Sequence, residues 1–142
     1  MAPMGQRGGA TDSLPGGNGS SFCQRPVLAC CLGDGWQPIV QRPPAELPPD
    51  ELRDKIAALC ELAEAGGRDP QTIITALGAS VHFSEGASAS CFGGSPQHIA
   101  EGIRRYQVVG VQDFCFDFPS SSPDGSLQAM ERFAAEVRPQ VG

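Results

Sequence analysis

The sequence predicts an α/β fold built on parallel strands. Three short runs have strand character: GWQPIV (35–40), TIITAL (72–77) and VQDFCFDF (111–118). Well-punctuated helices stand between and after them, and alternating strand and helix units of this size argue for parallel strands joined by helical crossovers. Parallel strands need neighbours on both sides and cover on both faces. Three strands make a thin sheet, so the pattern reads as part of something larger.

Taken in order, residues 1–21 hold six glycines among Ser, Thr and Asn, with almost no apolar periodicity. Such a composition cannot repay the entropy of ordering, and the segment reads as flexible. The rest, 22–142, reads as one domain. GWQPIV follows a Gly-Asp-Gly turn. LPPDELRDKIAALCELAEAGG (47–67) then reads as a helix, with Asp50 near its start and Leu52, Ile56, Leu59 and Ala63 on one stripe. Gly66 and Gly67 supply the left-handed stop. TIITAL follows the turn GRDPQ, and GASVHFSEGASASCFGG (78–94) reads mainly as loop. The next helix has Ser95 as N-cap, Pro96 in the first turn and Gly110 after its end, with Ile99, Ile103, Tyr106 and Val109 or Gln107 inward. The last helix starts from Ser122 and Pro123 and carries Leu127, Met130, Phe133 and Val137 along one face.

Charge and cysteines narrow the function classes. The net charge is −6, and no basic stripe interleaved with aromatics appears, which argues against a nucleic-acid partner. No apolar run approaches the roughly 18 residues a membrane span needs. Six cysteines fall at 23, 30, 31, 60, 91 and 115 without C-x-x-C spacing. No secretory signal is visible, so reduced thiols and a cytoplasmic location are expected. Cys60 and Cys115 fit as small buried apolar residues.

Few groups offer chemistry. His82 and His98 have no second ligand at metal spacing, so no metal site is expected. His98 reads as the exposed side of its helix; His82, in the loop, is the better general-base candidate. PGGNGSS (15–21) could cradle a phosphate on its amides, or be a flexible loop. Asp34 can accept hydrogen bonds from turn amides and Gly35 admits unusual backbone geometry, while Trp36 serves either as a pocket wall or as core. No catalytic residue is assigned.

Four stretches, LGDGWQPIV, ELAEAGGRDPQTI, GSPQHIAEGIRRYQVVGVQDF and AMERFAAEVRP, together resemble the C-terminal portion of the bacterial luciferase-like monooxygenases, over about Gly16 to Pro139. The resemblance implies the C-terminal βα units of a (β/α)8 TIM barrel. It also implies a reduced flavin mononucleotide or deazaflavin cofactor and a small-molecule substrate. Gly16, Gly17, Asn18, Asp34, Gly35 and Trp36 would then line the cofactor end. The chain departs from the family pattern where GGATDS replaces the strand before the GGN turn and where Pro26 interrupts a helix, at a cost of about 3 kcal/mol. A full barrel takes roughly 250 residues. The alternative expectation is therefore an inactive fragment acting by interaction, with copies associating through exposed strand edges.

Overall fold

The computed structural model describes residues 32–40, 46–86 and 88–142. The expectations for residues 1–21, for the segment around Pro26, and for Gly16, Gly17, Asn18, Cys30 and Cys31 fall outside these. The described chain is α/β. Six short strands and three main helices follow in the order β1 (Gly35–Trp36), β2 (Ile39–Val40), α1 (Pro49–Ala65), β3 (Ile74–Ser80), β4 (His82–Phe83), β5 (Gly93–Gly94), α2 (Pro96–Val108), β6 (Asp113–Asp117) and α3 (Pro123–Arg132). After α3 the chain passes through a π-helical turn, Phe133–Val137, into a last helical turn, Arg138–Val141.

β3 is the central strand, parallel to β1 and β2 on one side and to β6 on the other. β1 and β2 are two halves of the expected GWQPIV strand. Gly35 pairs with Ile74 and Ile39 with Gly78, the same offset of 39 residues, so the register never slips. The break falls at Pro38. Its carbonyl accepts from the Gly78 amide at 2.8 Å, but proline has no N–H to return to the Ala76 carbonyl. β3 starts two residues later than TIITAL and runs on through Gly78, Ala79 and Ser80. Thr72 is drawn instead into a 3-10 turn, Pro70–Thr72, which Asp69 caps by accepting from the Gln71 amide at 2.9 Å.

Pairing and alternation sort the sheet into two faces. Trp36, Val40, Leu77, Ala79, Phe114 and Phe116 share the face that packs beneath the helices. Leu52, Leu59 and Ala63 of α1 and Ile99, Ile103 and Tyr106 of α2 close over it. Ile56 of the α1 stripe is half-buried rather than buried. The caps stand where the sequence puts them: Ser95 accepts from the His98 amide and Ser122 from the Gly125 amide, each at 3.2 Å. Gly67 has a φ of 74° at the end of α1. α2 approaches the loop below it so closely that a methyl group on Gly102 would drive into the Cys91 carbonyl.

The stretch 78–94 is mainly loop, as expected, with the end of β3 and the short β4–β5 pair within it, in which His82 lies opposite Gly93. Three expectations are corrected. Cys115 is exposed, because the register places it on the sheet face opposite the helices. Cys60 is half-buried. Leu127 and Met130 are 57% and 45% exposed, and only the later part of their stripe, Phe133 and Val137, turns inward. The reason is position: β6 is the edge strand among the described residues, and the first turns of α3 have no further strand to rest on.

The opposite sheet face carries Ile39, Ile74, Asp113, Cys115 and Asp117, all exposed. No described element covers it. The described residues thus form an open sheet with one face packed.

These contrasts give measurable differences in stability. Leu52→Ala is expected to cost about 3 kcal/mol, the range of a fully buried leucine. Leu127→Ala is expected to change stability by less than about 0.5 kcal/mol, as a surface substitution does. Urea unfolding midpoints of the two variants check both. Gly102→Val, which overpacks the α2 crossing, is expected to cost about 2 kcal/mol in the same measurement.

Candidate functional site

β2, β3 and β6 end together at Val40, Ser80 and Asp117, and a cavity of about 940 Å³ opens at these carboxyl ends. Crevices in this position are where open parallel sheets bind ligands, because the loops leaving the strands diverge there. The volume lies in the upper part of the roughly 300–1,000 Å³ range of small-molecule sites.

Each wall follows from the local fold. The register sets Ser80 opposite Asp117, and the Ser80 hydroxyl donates to both carboxylate oxygens, at 2.8 and 2.9 Å. His82 comes two residues later on β4. Its amide donates to the Phe92 carbonyl at 3.0 Å, and the Ser84 amide donates to the Gly94 carbonyl at 3.2 Å, which clamps the intervening loop. That loop brings Ser88, Ser90 and Cys91 to the cavity. Phe92 pins it from below: the ring is 1% exposed, stacked on Tyr106 at 5.4 Å and tilted against Phe116 at 5.5 Å. His98 adds a strap. Its Nε2 lies 3.3 Å from the Ser90 carbonyl, and since a carbonyl only accepts, Nε2 carries the proton in that contact. The residue is half-buried, correcting the expected exposed position.

Across the cavity, Tyr106 donates from its hydroxyl to the Leu47 carbonyl at 2.7 Å, which ties α2 to the segment entering α1. Burial, then the proximity of Cys91 and Glu46, whose ionised forms repel a phenolate, push its ionisation well above the ordinary 10.0. Among the described residues no group of three or more His, Cys, Asp or Glu is placed to hold a metal ion. No helix among them is long and apolar enough to cross a membrane.

Asp34, Gly35 and Trp36 lie at the other end of the strands. They border an open depression of about 320 Å³, with Gln37, Ile74 and Ala76. Asp34 is fully exposed, with Arg68 4.0 Å away. The Trp36 indole belongs to the core, 7% exposed on the helix-covered face. The structure therefore does not bring these three together with His82. Ser80, Phe92 and Tyr106, which shape the larger cavity, were not among the expected site residues. Ser80 had a signal in the small alternating residues that prolong TIITAL, but its pairing with Asp117 is fixed only by register.

Compared with models of known protein families and with curated proteins, the sequence gives no match.

Tyr106 is the chain's single tyrosine, so its ionisation can be followed by phenolate absorbance without interference. The folded protein keeps this proton at a pH where the unfolded chain has released it. Stability is therefore full below pH 10.0, the ordinary value, and declines as the pH rises above it. Phenolate absorbance is expected to appear together with unfolding. A reversible step near pH 10.0 in a chain that keeps its far-ultraviolet circular dichroism would contradict this.

Proposed function

We propose that the chain is the C-terminal part of a luciferase-like (β/α)8 barrel, a flavin- or deazaflavin-dependent oxidoreductase acting in the cytoplasm on a small molecule. The observation that carries the reading is the cavity at the carboxyl ends of β2, β3 and β6, the end at which barrels of this kind place their sites. The order of the strands supports it. They lie side by side in chain order, all parallel, with pairing offsets of 39 and 37 residues, and helices cover one face as on the outside of a barrel. The uncovered face corresponds to the inner wall, in need of the strands that would complete it. The four motifs of the family resemblance span these same units.

The residues at the cavity suit a cofactor ring on one side and a polar edge on the other. Val40 would provide apolar contact, backed by buried Leu47 and Phe92, and Ser80 and His82 would meet polar atoms. When bound, the reduced cofactor would supply the electrons. His82, exposed at the cavity and held by its backbone, is placed to move a proton there. Asp34, Gly35 and Trp36 remain the alternative lining, at the opposite end of the strands.

Titration of the purified chain with reduced flavin mononucleotide and with deazaflavin, followed by absorbance and fluorescence, tests the reading. Binding at tens of micromolar is expected. Ser80→Leu, which fills the cavity wall, should abolish it, while Asp34→Ala should leave it unchanged. The reverse pattern would move the cofactor to the depression beside Trp36. Failure to bind either cofactor would end the proposal for this chain.

A second reading is favoured by the sheet face that no described residue covers and by exposed Leu127 and Met130 beside the β6 edge: a catalytically inactive fragment that associates, with a partner or with its own copies, through these surfaces. Size-exclusion chromatography and hydrogen exchange separate the two. A monodisperse monomer with protected β6 amides counts against association.

A further inference from the structure

The free hydrogen-bonding capacity around the large cavity is weighted toward acceptors. Ser80 has committed its only hydroxyl proton to Asp117, at 2.8 and 2.9 Å, so what it offers the cavity is lone pairs. Tyr106 has likewise committed its proton to the Leu47 carbonyl, at 2.7 Å. The Glu46 carboxylate, on the cavity wall, only accepts. Asp117, opposite Ser80 on β6 and next to the lining, adds a second negative charge beside it. Ser88 and Ser90 accept locally, from the Ser90 and Phe92 amides at 3.2 and 3.3 Å, and keep their protons to give. The His82 ring, also on the wall, has both a donor and an acceptor nitrogen. The serine hydroxyls are neutral and do not offset the carboxylates of Glu46 and Asp117. The remaining wall, with Val40, Leu47 and Phe92, is apolar.

A carboxylate ligand would meet the fields of Glu46 and Asp117 and find Ser80 unable to donate. An amine of the same size would find acceptors already oriented and their charge favourable. We infer that the cavity takes a small aromatic or aliphatic molecule bearing an amino group, in preference to the matching carboxylic acid. This rests on the cavity being the ligand site of the proposed function, but not on the identity of the cofactor.

The test uses the full chain at neutral pH, with phenethylamine and 3-phenylpropionate as the matched probes and ligand-observed nuclear magnetic resonance as the readout. The amine is expected to bind about tenfold tighter, the size of one charge-assisted hydrogen bond. Glu46→Gln and Asp117→Asn, both at exposed positions, should each narrow that preference while leaving the unfolding midpoint unchanged. Equal binding of the two probes, a preference for the acid, binding of neither, or a preference unmoved in both variants would overturn the inference. Titration with reduced flavin mononucleotide runs beside it. Amine preference in a chain that binds no flavin leaves the inference standing and removes the cofactor reading. Flavin binding without amine preference does the opposite.

Discussion

Phe92 is the contact on which the arrangement turns. Its ring lies on Tyr106 of α2 and against Phe116 of β6, and Phe116 in turn packs on Phe133 at 5.2 Å, beyond α3. One side chain therefore ties a loop, a helix and an edge strand together, and through Phe133 the end of the chain. Each ring pair contributes about 1 kcal/mol beyond the area it buries. The larger effect is geometric. With Phe92 fixed, the β4–β5 clamp closes beside it, and the loop with Ser88, Ser90 and Cys91 is held at the carboxyl ends of the strands. The cavity is a consequence of that anchor.

The two faces of the sheet are in very different states. Under the helices, Leu77 and Ala79 of β3 and Val137 from the final segment are buried in a continuous apolar core. On the other side no described residue covers the parallel sheet, where Ile39 and Ile74 lie beside Asp113 and Asp117. Sheets of this kind normally carry cover on both faces. Both proposed readings start from this imbalance. One supplies the missing cover as the rest of a barrel, and the other as a partner.

Local rules wrote most of the fold openly. Ser95–Pro96 and Ser122–Pro123 announce helix starts through capping chemistry that acts within three residues, and the α1 and α2 stripes follow from periodicity. What stayed illegible depends on contacts distant in sequence. Phe92 sits in a Gly/Ser-rich run without period, and nothing nearby reveals that Tyr106 and Phe116 wait for it. Cys115 alternates with phenylalanines and looks buried. Its exposure follows from which face of β6 the helices cover. Leu127 and Met130 have an apolar pattern with no described strand beneath it. The candidate site was the least legible part, because Ser80 and Asp117 are 37 residues apart and only pairing makes them neighbours. Trp36, prominent as the only tryptophan, turned out to serve the core.

Pro38 gives the first strand an articulation. It holds β3 through its carbonyl yet leaves the reciprocal bond unmade, so the amino half with Trp36 and the carboxyl half with Val40 are fastened separately. The Trp36 half is clamped by the core, whereas the Val40 half borders the cavity. The unmade bond falls where the strand passes from the packed core at Trp36 to the cavity wall at Val40.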